Sequence, residues 1–133
     1  MPDSLNIYLI GGKDDFALCE AIINGTGDKG KGAINLSGKL SLLQTAALMK
    51  DAEMNYVNDS APAHIASAMN AKVTQVFCST VPAFGFGVIA DNARIIQTKE
   101  KLTCRPCGLH GHKECPKGHF KCALTIDVKE LLP

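Results

Sequence analysis

Apolar positions along the chain fall into short runs that alternate between two spacings. Residues 5–10 are a mostly apolar run stopped by Gly11 and Gly12, the pattern of a strand buried on both faces. Asp14 and Asp15 then precede Phe16, Ala17, Leu18, Ala21, Ile22 and Ile23, acidic residues in a first turn followed by apolar ones at helical spacing, and Gly25 ends the helix. After a glycine-rich link through Gly32, residues 33–36 read as a second strand, and Ser41 opens a second helix carrying Leu42, Leu43, Ala46, Ala47, Leu48 and Met49. Residues 54–58 predict a third strand, 60–69 a third helix, 73–78 a fourth strand and 94–98 a weaker fifth, while 126–132 read as a terminal helix starting at Asp127.

Strand and helix in alternation predict an α/β fold: a parallel sheet with right-handed crossovers, helices on its faces, and a ligand site beyond the carboxyl ends of the strands. The loops that matter most are then 11–15, 37–41, 58–64 and 78–87. At 133 residues the chain is sized for one core, with 1–98 as the α/β part and a Cys-rich loop and C-terminal helix, 99–133, on the same domain. Composition, 46% hydrophobic and 20% charged, excludes disorder, and no apolar run is long enough to span a bilayer. A net charge of +1 leaves no field to hold a polyanion, so nucleic acid is not an expected partner. Met1 to Leu5 is polar where a secretory signal needs an apolar stretch, which points to the cytoplasm.

The stretch Asn58-Asp59-Ser60-Ala61-Pro62-Ala63-His64 lies where a strand ends and a helix begins. Ser60 or Asp59 can cap the helix and Pro62 suits its first turn, so free backbone N–H groups and the helix dipole would favour a phosphate or diphosphate there. His64, one turn in, could reach the same anion, and Asp59 could accept from sugar hydroxyls; equally, Asp59 could be only a cap and His64 a satisfied half-buried side chain.

Six cysteines are unevenly placed: Cys19 and Cys78 stand alone, whereas Cys104-x2-Cys107-x7-Cys115-x6-Cys122 fall in one stretch with His110, His112 and His119 interleaved. Four thiolates suit a closed tetrahedral structural zinc site, with two local disulfides or four free thiols as the competing readings. Around them Lys99, Lys101, Arg105, Lys113, Lys117 and Lys121 face only Glu100 and Glu114, a local charge of +4 that reads as a solvated surface. Residues 25–32 nearly spell a phosphate-binding P-loop, but Gly32 replaces the Ser or Thr that would hold magnesium and the segment precedes a strand, so it reads as a flexible link.

The order of these elements and loop residues resembles the C-terminal half of glycosyltransferase family 9, the lipopolysaccharide heptosyltransferases. The resemblance runs over nearly the whole chain: Ile10-Gly11-Gly12 with Asp15, then residues 35–42 (Asn-Leu-Ser-Gly-Lys-Leu-Ser-Leu), then 58–66, then Phe77-Cys78-Ser79-Thr80 with Pro82 and the Gly85-Phe86-Gly87 turn. It implies the Rossmann-like donor half of a two-domain GT-B enzyme, binding a nucleotide-sugar, typically ADP-heptose, for inverting transfer that requires no cofactor. By the same resemblance Asp59, Ser60, Ala61 and His64 contact the donor's sugar and diphosphate, Leu40 packs on adenine, Asp15 lies near the ribose, and Gly11 and Gly12 belong to the first donor loop. Ala61 stands where the family pattern has Gly, and Val88 where Pro is common. The implied partners are the donor, an N-terminal acceptor domain carrying the catalytic base, which this sequence lacks, and a glycolipid acceptor met at the inner face of a bacterial inner membrane. On this reading the chain is part of a longer protein, inactive alone; the alternative is a non-catalytic, zinc-stabilised α/β binding module.

Overall fold

A computed structural model describes residues 5–133; the polar start, residues 1–4, lies outside the described residues. The elements follow the predicted order: β1 (Tyr8–Leu9), α1 (Phe16–Gly25), β2 (Ile34–Asn35), α2 (Leu42–Lys50), β3 (Asn55–Asn58), α3 (Ala61–Ala68), β4 (Val73–Phe77), β5 (Ala93–Gln97) and α4 (Lys121–Leu124). All strand pairs are parallel, but they form two sheets instead of the expected one, β1-β2 and β3-β4-β5. The chain correspondingly divides into two compact units, one running to Thr45 and one from Ala46 to Pro133, so residues 99–133 fall in the same unit as β3-β4-β5. Alternation specifies strand direction; it does not specify which strands become neighbours.

In the first unit the amides of Ile34, Leu36 and Gly38 donate in step to the carbonyls of Ile7, Leu9 and Gly11, at 2.9, 2.8 and 2.9 Å. Burial on both faces, expected for residues 5–10, is not found: α1 lies against β2, and Ile7, Tyr8 and Ile34 stay exposed. Two strands cannot bury a central one. The interior here is partly polar. Buried Asn35 donates to the Phe16 carbonyl (3.1 Å) and to Glu20 Oε1 (2.8 Å), and accepts from the Ser37 amide at 3.1 Å. Ser41 opens α2 as expected through a reciprocal cap, the Gln44 amide donating to Ser41 Oγ (3.2 Å) and the Ser41 amide to Gln44 Oε1 (2.8 Å). The link at 25–32 is an ordered 3-10 turn, Gly27–Gly30, with Thr26 Oγ1 donating to the Ile23 carbonyl at 2.7 Å.

Gly38 holds the loops after β1 and β2 together. Its φ is +72°, and a Cβ there would sit 2.8 Å from Lys13 Cγ and 2.9 Å from Lys13 Cα. Gly38→Ala is therefore expected to cost more than about 1 kcal/mol, read as a lower urea midpoint at unchanged slope.

The second unit is built on β4, whose Val73, Thr74, Gln75 and Phe77 are all buried, as suits a central strand. α3 packs on β3 and β4 through Ala63 and Ala66, both buried, and small side chains let its axis approach the sheet closely. It ends in a Schellman turn: Asn70 is left-handed (φ 50°), Ala71 N–H donates to the Ala66 carbonyl (2.9 Å) and Asn70 N–H to that of Ser67 (3.1 Å). The terminal helix expected over 126–132 is shorter, a 3-10 turn at Val128–Leu131 that Asp127 does cap, its carboxylate accepting from Lys129 N–H at 3.0 Å. Arg94 donates to the carbonyls of Glu130 and Leu132 and so ties this turn to β5. α4, which follows left-handed Phe120, was not expected from the sequence.

Candidate functional site

Parallel β3, β4 and β5 end on the same side, so the loops after them converge, and it is there that the candidate residues of the second unit lie. Asp59 follows β3 directly. Thr80, buried three residues past β4, donates its hydroxyl to Asp59 Oδ2 at 2.6 Å and so fixes one carboxylate oxygen. Ser60 is the N-cap of α3, with extended backbone (φ −158°, ψ 179°), but its hydroxyl does not cap the helix; it bonds Asn58 Oδ1 instead. Of the first-turn amides, Pro62 has none and Ala63 donates to the Ser60 carbonyl at 3.0 Å, leaving the Ala61 N–H without an acceptor among the described residues. The helix start is thus open but offers fewer free donors than the sequence suggested.

Ala61 and His64 are exposed, on the first turns of α3. His64 meets the Phe86 ring edge-on, with centroids 6.1 Å apart and planes at 76°. Phe86 sits in the Gly85–Gly87 turn, and that turn is held from inside the sheet: fully buried Gln75 donates Nε2 to the Phe86 carbonyl (3.1 Å) and accepts from the Val88 amide (2.8 Å).

The remaining candidates, Gly11, Gly12, Asp15 and Leu40, belong to the first unit. Asp15 Oδ2 accepts from the Gly12 amide at 2.7 Å, and a Cβ on Gly11 would stand 2.7 Å from that same oxygen. One oxygen of Asp15 is therefore committed to shaping its own loop, and Gly11 is glycine to admit it. Leu40 is half-buried just before α2.

The four clustered cysteines do converge, and Cys78 joins them. Cys78, Cys104, Cys107, Cys115 and Cys122 line one cavity of about 650 Å³, together with Arg105. None of Asp59, Ser60, Ala61 or His64 lines it. All five thiols are free, and among the described residues no three Cys, His, Asp or Glu side chains are placed so that they could hold a metal ion. Burial raises the Cys78 thiol above its usual pKa, as does nearby Cys122. Burial likewise raises Cys122, with Cys115 and Cys104 adding to it. Cys115 is shifted the other way, chiefly because the Phe120 N–H donates to its sulfur at 3.4 Å, with further backbone donors at Lys117, His119 and Gly118. His119 accepts the Lys121 N–H on Nδ1 (3.1 Å), which places the ring proton on Nε2, 3.9 Å from Cys104 Sγ.

Arg105 ties this segment to the sheet. Its Nε donates to the Cys78 carbonyl (2.7 Å) and its Nη2 to the Thr80 carbonyl (2.9 Å) and Gln97 Oε1 (2.8 Å), while Cys107 N–H donates to the Ser79 carbonyl at 2.8 Å. The same short stretch after β4 thus carries both Asp59's partner and the anchor of the Cys-rich segment. Sequence reasoning missed the roles of Thr80, Gln75 and Arg105; the one available signal was that Thr80 sits at the carboxyl end of a buried strand.

The profile of glycosyltransferase family 9 (heptosyltransferase) matches residues 3–118 of the sequence. The chain belongs to this family. Among solved structures, the ADP-heptose lipopolysaccharide heptosyltransferase II of E. coli is similar, with a TM-score of 0.67 at 20% identity over 79% of this chain and 34% of that one. At that identity the likeness shows the fold, a part of a GT-B heptosyltransferase with parallel sheets and flanking helices. This family member spans about a third of the length of that enzyme. No curated protein matches the sequence. As in the sequence, no helix among the described residues is long and apolar enough to cross a membrane.

Proposed function

We propose that this family 9 chain is a donor-binding part of a glycosyltransferase, taking a nucleotide-sugar, with ADP-heptose the leading candidate, for use on the cytoplasmic side in lipopolysaccharide or related envelope glycan synthesis. The observation that carries the reading is the open start of α3. Ser60 leaves it uncapped, the Ala61 amide is unpaired among the described residues, and Asp59 and His64 flank it on exposed or half-exposed positions. An unpaired amide at the positive end of a helix stabilises a diphosphate, and the imidazole can add a hydrogen bond as negative charge develops on the leaving nucleotide. Asp59, steadied by Thr80, would accept from sugar hydroxyls through its second oxygen.

Transfer is inverting in this scheme, and the base that deprotonates the acceptor comes from outside these residues. The chain should then bind donor and transfer nothing by itself.

Calorimetry with ADP, ADP-heptose and UDP-sugars tests the proposal. ADP-heptose should bind, and Asp59→Ala and His64→Ala should each weaken it about tenfold or more, while Thr80→Val weakens it less. Folded protein that binds none of the three ligands overturns the donor-site reading.

A further inference from the structure

Residues 99–133 raise a problem of cohesion. None of them is buried, and their regular structure amounts to the single turn of α4 and one 3-10 turn. Ordering a segment costs conformational entropy that apolar burial normally offsets, and here that offset is small, with Leu102, Ala123, Ile126 and Leu131 only half-buried. Polar ties exist near its ends: Arg105 and Cys107 fasten one part to the loop after β4, and Arg94 fastens Glu130 and Leu132. Between Cys107 and Phe120 lies a stretch with three left-handed glycines, Gly108, Gly111 and Gly118. This stretch and its flanks line one common cavity with Cys104, Cys107, Cys115 and Cys122, beside His112, Glu114 and His119.

We propose that Cys104, Cys107, Cys115 and Cys122 bind one zinc ion that cross-links residues 104–122 into one folded unit, which Arg105 and the Cys107 N–H hold on the loop following β4. Two residues separate Cys104 from Cys107, a spacing that can bring two thiolates to a single ion. The Cys115 side chain is held at the cavity wall by its own turn: the Phe120 N–H donates to its sulfur, and the Gly118 N–H closes the turn on the Cys115 carbonyl at 3.0 Å. His119 is not a ligand in this arrangement, because its Nδ1 accepts from Lys121 and its protonated Nε2 faces Cys104; it supports that sulfur from outside the coordination sphere. Binding replaces four S–H bonds by four Zn–S bonds and releases four protons to solvent, with no change of oxidation state. The resulting tetrathiolate carries a charge of −2, opposed by Arg105, Lys113 and Lys117 on the wall of the same cavity. The thiols share the cavity without yet meeting at a point, so the metal itself draws the last turn together.

The test is metal analysis of the full chain purified under reducing conditions, followed by replacement of the metal with cobalt(II). One zinc per chain, and a cobalt spectrum with thiolate charge-transfer and tetrahedral bands, are the expected results. Serine at Cys104, Cys107, Cys115 or Cys122 should abolish or alter that spectrum, and Cys78→Ser should leave it intact. Chelation should open residues 108–120 to protease at least tenfold faster while leaving β3-β4-β5 uncut. Protein that holds no zinc and takes up no cobalt, fewer than six titratable thiols in the metal-free denatured chain, or a Cys107→Ser variant with the full four-sulfur spectrum would each overturn it. None of these readouts depends on nucleotide-sugar binding, so the two proposals fail separately.

Discussion

Gln75→Leu is expected to destabilise the protein by about 2–4 kcal/mol even though it keeps the side-chain volume nearly constant. Gln75 has no exposed surface, and its amide spans the Phe86 carbonyl and the Val88 N–H. Removing it strands a buried donor and a partly buried acceptor, each costing about 1–3 kcal/mol. The urea midpoint should fall at unchanged slope. A second readout separates this from mere loss of stability: the Gly85–Gly87 turn should loosen, and with it the edge contact of Phe86 on His64. The His64 imidazole resonances should therefore move in the folded variant, under conditions where more than nine-tenths of it remains native.

Arg105→Ala should be comparably severe, at about 2–4 kcal/mol, but local in its consequences. The guanidinium gives up three hydrogen bonds, all to neutral acceptors on the ends of β4 and β5, and hydrogen bonds from a charged group are each worth about 1.5–3 kcal/mol before partial solvent exposure discounts them. Residues 99–120 should become the first site of limited proteolysis. Arg105→Lys should not restore the wild-type rate, since one ammonium cannot reach the geometry of a fork that meets acceptors on two sides. Equal protease resistance in wild type and Arg105→Ala would mean that the anchor lies elsewhere.

Much of the fold was legible because β4 and the helices carry their periodicity openly. Residues 73–78 read as a strand despite polar Thr74 and Gln75, and the structure accounts for both: Thr74 Oγ1 donates to Met54 Sδ at 3.7 Å, and Gln75 serves the Gly85–Gly87 turn. Ser41 and Asp127 announced their caps by type and position. Sheet membership was not legible, because parallel neighbours are chosen by tertiary contacts between segments far apart in the chain. The site divides along the same line. The Asn58 to His64 stretch could be picked out from a strand ending on a helix with Pro62 in its first turn, but Asp59's partner is 21 residues away and Arg105's acceptors are up to 27 away. Ser60 illustrates the reverse error: its type predicts a cap, yet the neighbouring Asn58 amide oxygen competes for the hydroxyl and wins.

The alanine face of α3 limits how this protein can change. With Ala63 and Ala66 fully buried against the sheet, a larger side chain at either position would push α3 away from it. Under the donor-site proposal, variation in ligand preference is therefore confined to the outward positions, Ala61 and His64, and to the Phe86 loop. A laboratory search for altered ligand preference should randomise those three sites and leave the inner face untouched.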